Sequence, residues 1–194
     1  MPLLPPEPFV FPDNLFLDPF GPNDSQRWLV LHTRPRAEKA LVRRFLGRSL
    51  PFFLPLYQKR WRSRGRLLCS YLPLFPGYVF LRGGPEARLE ALQTNLVANC
   101  LPVEDQEQLH ADLRRVHHLM TSGEPLVPED RLQPGTLVEI IDGPLKGLQG
   151  KVLREGKRLK FFVEVNFLQR GASVEIDKWM IRALSGQSTL ACTH

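Results

Sequence analysis

The sequence predicts an α+β protein with two domains: an N-terminal α/β sandwich of order β-α-β-β-α-β with an extra helix, and a small C-terminal β-barrel. The length of 194 residues suits two small domains, and an apolar fraction of 43% is enough for a core in each. Strand and helix patterns alternate over residues 26–122, whereas only short strand patterns recur over residues 134–184. Residues 123–133 are polar and contain prolines, so they are predicted to be a linker.

Both ends of the chain lack a regular pattern. Residues 1–25 combine prolines, four acids and scattered aromatics, which predicts a flexible Pro-rich acidic arm. Residues 185–194 are polar and are predicted to be a flexible tail. Neither an uncharged apolar stretch of 18 residues nor a secretory signal pattern is found, so we expect a cytoplasmic protein without membrane association.

Breaks in the hydrophobic pattern set the order of elements in the first domain. Residues 28–32 form a short apolar run typical of a buried strand, and Pro35 ends it. The following helix is amphipathic, because its apolar residues fall at i, i+3, i+4 and i+8 from Ala37. Residues 59–66 are predicted to form a basic hairpin or loop. Further strands are predicted over residues 51–57, 74–81 and 96–103, and further helices over residues 85–93 and 104–121.

The second domain is built around a glycine-rich turn. Gly143, Gly147 and Gly150 suit backbone positions that need a positive φ or a close approach, and Pro144 presets φ in the turn. A Walker phosphate loop is not supported, because Val152 stands where Ser or Thr is required. The turn is therefore predicted to be structural. Strands are predicted around it over residues 136–141, 148–153, 159–167 and 172–176, a spacing typical of a small barrel.

Positive charge is concentrated in the first domain. The whole chain has a net charge of +6, and residues 26–122 alone hold 16 basic and 7 acidic residues. Between Arg34 and Arg66 there are eleven basic residues and a single acid, Glu38. Such a patch attracts phosphate backbones through counterion release, although a solvated face without a partner has the same composition.

Two segments carry a family pattern. The first is PLFPGYVF at residues 73–80, preceded by WLVLHTRP at residues 28–35. The second is PGTLVEIIDGPLKGLQG at residues 134–150, followed by FLQR at residues 167–170. Together they resemble the NusG family of transcription elongation factors, which joins an NGN domain to an SH3-like KOW barrel. The detailed residue pattern of these segments looks closest to the specialised antitermination paralogues of the RfaH, UpxY and LoaP types.

The resemblance implies binding surfaces on both domains. An exposed hydrophobic depression would grip the clamp of RNA polymerase through His32, Phe75, Tyr78 and Phe80. Basic side chains would lie near upstream or non-template DNA and contact its phosphates: Arg34, Arg36, Lys39, Arg43, Arg44 and Arg48. The turn of Gly143, Pro144, Gly147 and Gly150 would support a surface that recruits a ribosomal protein or another transcription factor. A purely structural role of the aromatics in the core is the alternative.

The function implied by the resemblance is transcription elongation and antitermination, with pausing and termination suppressed by contact with the polymerase. The alternative is a ribosome-associated or RNA-binding KOW protein without polymerase activity. We do not expect an enzyme, a cofactor or a metal site. No catalytic constellation can be argued from the residue order, the three cysteines are widely spaced, and His110, His117 and His118 lack the spacing of metal ligands.

Overall fold

The computed structural model describes residues 8–17, 25–129, 135–155 and 158–184. It confirms the mixed α/β class, with an α/β domain followed by a β-rich domain. The helices are α1 Glu38–Gly47, α2 Pro85–Gln93 and α3 Gln106–Thr121. The strands are β1 Val10–Phe11, β2 Arg27–Thr33, β3 Phe52–Phe53, β4 Leu56–Ser63, β5 Arg66–Pro73, β6 Tyr78–Gly83, β7 Val97–Leu101, β8 Val127–Glu129, β9 Thr136–Ile140, β10 Gln149–Glu155, β11 Arg158–Val165, β12 Arg170–Ile176 and β13 Ile181–Ala183.

The first domain is built on a five-stranded sheet of order β1-β3-β6-β2-β7. Successive side chains of a strand point to opposite faces, so β2 and β6 divide their apolar residues between two cores. Leu31, Val79 and Leu81 pack with the buried residues of α1 and α2. Val30 and Phe80 pack with Leu109, Leu113 and other buried residues of α3. Both faces of the sheet are therefore covered.

The second domain is a six-stranded sheet of order β13-β9-β10-β11-β12-β8. Phe161, Val163 and Val165 are buried on β11, as the alternation predicts. Phe167 was predicted to continue that strand, but it lies in a 3-10 turn, Asn166–Leu168, and is partly exposed. β8 arises from the predicted linker and pairs with β12 through Pro128 and Ala172. Part of the linker is thus a strand of the barrel.

The N-terminal extension is packed into the first domain over residues 8–17. β1 pairs with β3, and the backbone N–H of Leu54 donates to the carbonyl of Phe9 at 2.6 Å. The ring of Phe16 stacks on Trp28 with centroids 5.8 Å apart and meets Phe53 edge-on at 5.0 Å. The prediction of a flexible arm therefore does not describe these residues, because β1 joins the sheet and Phe16 fills space between the sheet and α3.

Two histidines of α3 line the same space. His110 accepts a hydrogen bond from the indole N–H of Trp28 at 3.2 Å. The ring of His117 lies 4.9 Å from Phe16 and 5.9 Å from Phe53 between centroids. Burial lowers the pKa of His117, and the neighbouring charge of His118 lowers it further. The aromatic core therefore favours the neutral form of His117.

We expect Phe16→Ala to destabilise the first domain by about 3–5 kcal/mol, because it empties a site that is enclosed by aromatic rings. The measurement is the free energy of unfolding from urea titration. Leu17→Ala is the matched control, because Leu17 is the next residue and is 80% exposed. Equal stability of the two variants would show that the extension does not contribute to the core.

Stability should also fall in acid because of His117. Its folded-state pKa lies below the ordinary value of 6.5, so the unfolded chain binds the proton more readily. The contribution to stability is fully present above pH 6.5 and is lost as pH falls through the folded-state pKa. We expect the urea midpoint to fall between pH 7.5 and pH 5, and to fall less in His117→Gln. His32→Gln, which changes an exposed ring, should keep the wild-type fall; an identical fall in His117→Gln contradicts this assignment.

Candidate protein and nucleic-acid interfaces

A rigid turn places Tyr78 at the start of β6. Gly77 has a φ of 84°, which favours glycine, and its N–H donates to the carboxylate of Glu38 on α1 at 2.7 Å. The carbonyl of Gly77 accepts from the N–H of Thr33 at 2.8 Å. The sequence Pro-Gly-Tyr is therefore fixed from both sides, by the first helix and by the end of β2.

His32 and Tyr78 form a surface pair beside this turn. They are cross-strand partners of β2 and β6, and their ring centroids lie 5.3 Å apart. His32 is exposed, whereas Tyr78 is half-buried. Cross-strand aromatic pairs stabilise a sheet and hold each ring in place. The pair is thus a pre-ordered patch with an apolar surface and two polar groups that can form hydrogen bonds.

Phe75 and Phe80 do not join that patch at the surface. They are 1% and 0% exposed, and their rings meet edge-on with centroids 6.1 Å apart. The expectation of an exposed depression rested on a sheet with helices on one side only. α3 and Phe16 cover the second face here, so both phenylalanines lie in the core in this arrangement.

The six candidate DNA-binding cations are divided among three positions. Arg34 and Arg36 lie in the loop before α1, and both are exposed. Lys39 and Arg43 are one helical turn apart, as are Arg44 and Arg48 on another side of the helix. Lys39 and Arg48 make contacts that connect them to other elements of the fold. Lys39 donates to the carbonyl of Tyr71 at 2.7 Å, and Arg48 forms an exposed ion pair with Glu90 at 3.1 Å.

The residues predicted as a basic hairpin or loop form the extended strands β4 and β5. Lys59, Arg60, Arg62, Arg64 and Arg66 are all exposed there. The hydrogen bond from Lys39 to Tyr71 connects α1 to this hairpin. The basic surface therefore extends from the helix along a second element, which sequence patterns alone left without a defined shape.

The glycine-rich turn of the barrel closes tightly on itself. Gly143 and Gly147 have φ values of 83° and 84°, and the N–H of Gly147 donates to the carbonyl of Ile140 at 2.7 Å. Gly150 has a negative φ, but a Cβ there would lie 2.7 Å from the ring of Phe161. An open groove of about 630 Å³ lies beside the turn. Its apolar lining comprises Pro144, Leu145, Leu159, Ile176, Met180 and Ile181.

Asp112 connects the two domains. Its side chain is fully buried, and one carboxylate oxygen accepts the backbone N–H of Asn166 from the barrel at 2.9 Å. The other oxygen accepts from Gln108 at 2.6 Å and from Arg115. A buried carboxylate requires such partners, and all of them are supplied by α3 and the turn after β11. The buried apolar residues of α3 and of the barrel also form one cluster.

Within the described ranges, no helix is long and apolar enough to span a membrane. The same part of the chain brings together no group of three His, Cys, Asp or Glu side chains that could hold a metal ion.

The family described as "Transcription termination factor nusG" matches residues 26–120. The first domain of this chain is thus similar to the NusG family. Members of this family are transcription factors that bind RNA polymerase. The NusG match covers β2 to β7, α1, α2 and nearly all of α3, and thus includes His32, Tyr78 and the cations of α1.

No curated protein matches the chain. Among solved structures, the chain is similar to one described as "Domain interaction in Thermotoga maritima NusG", with 18% sequence identity and a TM-score of 0.45. That similarity covers 82% of this chain and 97% of the Thermotoga maritima chain.

We expect Asp112→Ala to weaken the contact between the first domain and the barrel by about 1.5–3 kcal/mol, because it leaves Asn166 and Arg115 without a charged acceptor. Hydrogen–deuterium exchange of the Asn166 amide should accelerate accordingly. Glu107→Ala is the control, because Glu107 is exposed on the same helix. Unchanged protection of Asn166 in Asp112→Ala would show that the carboxylate does not hold the barrel.

Proposed function

We propose that this protein is a transcription elongation and antitermination factor that binds the RNA polymerase clamp with its NGN domain and recruits a partner with its KOW barrel. The observation that carries the proposal is the surface pair of His32 and Tyr78 on a NusG-family domain. Such a protein acts by binding. It suppresses pausing and termination by favouring the closed, active polymerase, to which it binds more tightly than to the open form.

The polymerase contact requires a surface that is ordered before binding. The turn at Gly77 is fixed by Glu38 and Thr33, so little side-chain or loop entropy is lost when a partner covers Tyr78. Phe75 and Phe80 have a supporting role in this proposal: they fill the core beneath the pair and set the position of β6. Aromatic residues that are held in place at the centre of a patch are typical binding hot spots.

The DNA contact is assigned to the cations around α1. Arg34, Arg36 and Arg44 are exposed and carry charge that can neutralise phosphates of upstream or non-template DNA. Lys39, Arg43 and Arg48 complete the set; Arg48 would exchange its exposed partner Glu90 for a phosphate, which costs little because surface ion pairs are weak. Contacts of this kind position a protein and do not read sequence.

The partner contact is assigned to the groove beside the turn at Gly143 and Gly147. Half of its lining residues are apolar and half are charged, and Arg158 and Glu175 form an exposed ion pair among the charged ones. Protein interfaces also combine apolar and polar groups. A ribosomal protein or another transcription factor is the expected class of partner. If this protein is a specialised paralogue of the RfaH, UpxY or LoaP type, its activity would be restricted to particular templates.

The double variant His32→Ala/Tyr78→Ala should lose co-purification with core RNA polymerase, with affinity falling by at least about 30-fold, as expected for a hot spot of 2 kcal/mol or more. The same variant should lose its effect on read-through in transcription past a terminator in vitro. Leu89→Ala is the control, because Leu89 is 56% exposed on α2, which packs on the other face of the sheet.

Retained polymerase binding by the double variant would refute the proposed surface. Binding of the wild-type protein to ribosomes but not to polymerase would support instead a ribosome-associated or RNA-binding protein. Read-through on unrelated templates would identify a general factor, and read-through confined to its own operon would identify a specialist.

A further inference from the structure

The hairpin of β4 and β5 projects from the first domain as an isolated ribbon. Its strands have eight residues each and pair with each other, and no other described strand joins them. Every residue from 58 to 69 is exposed. The tip at Arg64 and Gly65 has φ values of 48° and 75°, typical of a tight type I′ turn. The ribbon is therefore narrow and accessible from both faces.

Cations occupy both faces of this ribbon. Residues directly opposite in an antiparallel pair share a face, so the pairing of Arg60 with Cys69 and of Arg62 with Leu67 places both arginines on one side. Lys59 and Arg66 lie on the other side by the same rule. Residues 56–73 contain no acidic side chain. The ribbon thus has no local carboxylate to neutralise this charge.

Each face also carries an exposed aromatic side chain. Trp61 is 41% exposed opposite Leu68, on the face of Lys59 and Arg66. Tyr71 is 39% exposed opposite Gln58, on the face of Arg60 and Arg62. Neither aromatic residue belongs to the buried cores of the fold. Exposed aromatic rings among cations are the combination that surfaces for unpaired nucleic-acid strands use.

We propose that this hairpin binds single-stranded nucleic acid, with bases stacked on Trp61 and Tyr71 and phosphates bound by the flanking cations. Aromatic platforms in a basic setting bind unpaired strands because every base has a face to stack, and an unpaired strand leaves that face open. A duplex encloses its base faces and offers only groove edges and phosphates. The interleaving of aromatic and basic residues therefore favours the single strand.

This inference extends the proposed function. It rests on that function for one point, namely that the bound nucleic acid lies beside a polymerase. The hydrogen bond between Lys39 and Tyr71 makes the ribbon continuous with the cations of α1. A single-stranded nucleic acid that runs along the ribbon away from its tip would thus reach α1. The binding step itself needs no polymerase, so it can be tested separately from the contact through His32 and Tyr78.

The test uses the full-length protein with a fluorescein-labelled 12-nucleotide oligo(dT), the same length of oligo(U), and a 12-base-pair duplex. We expect both single strands to bind more tightly than the duplex at equal salt. Trp61→Ala should weaken single-strand binding by about 5- to 150-fold, the range of one stacked base. Arg60→Gln/Arg62→Gln should reduce the salt slope of log K by about 1.4, corresponding to two released phosphate contacts.

A fluorescence measurement separates stacking from a loss of folding. In a Trp179→Phe background, emission comes from Trp61 and from Trp28, which is fully buried. Oligo(dT) should quench the Trp61 part, and quenching should disappear in Trp61→Phe/Trp179→Phe. Arg154→Gln is the matched control for charge, because Arg154 is an exposed arginine of the barrel. Tighter binding to the duplex than to either single strand, or unchanged binding by Trp61→Ala, would overturn the proposal.

Nucleic-acid binding by the hairpin and polymerase binding through His32 and Tyr78 would be refuted by different results. Loss of oligonucleotide binding in the hairpin variants, with polymerase co-purification retained, supports the inference. Oligonucleotide binding by a protein that does not bind polymerase supports the hairpin site and refutes the proposed clamp contact.

Discussion

Helix α3 packs between the first sheet and the barrel, and both domains depend on it. Toward the sheet it contributes buried apolar side chains, including Leu109, Leu113 and Leu119, which pack with Phe80. Full burial of such a side chain stabilises the fold by roughly 1.5–3 kcal/mol. Toward the barrel it presents Asp112, whose carboxylate binds the turn after β11. Without the helix, the face of the sheet that carries Val30 and Phe80 would be exposed to water.

Packing on α3 also explains which elements could be predicted from the sequence. α2 was predicted over residues 85–93 and is observed with those bounds, because Pro85 begins the helix at its first turn. The alternation along β6 correctly separated Val79 from Phe80. It could not show what covers each face, since that depends on α3 and on Phe16, which lie far away in the sequence. The burial of Phe75 and Phe80 follows from those distant contacts.

Short elements were missed for a related reason. β1 and β8 have two and three residues, too few for a period to emerge, and they exist because a distant strand offers backbone hydrogen bonds. β4 and β5 gave no apolar alternation because both of their faces are exposed. The same limit applied to the prediction of the candidate site. The motif was enough to place the pair His32 and Tyr78, but the extent of the basic surface could not be predicted without the shape of the hairpin.

The strand β8 shortens the tether between the domains. Because Val127–Glu129 belongs to the barrel sheet, the free connection from the end of α3 is only residues 122–126. Five extended residues span on the order of 17–18 Å. If the contact at Asp112 opens while β8 stays paired, the barrel remains within about that radius of α3 and returns to it at a high effective concentration. A longer excursion requires β8 to separate from β12, so the reach of the barrel is set by how firmly the three residues of β8 pair with β12.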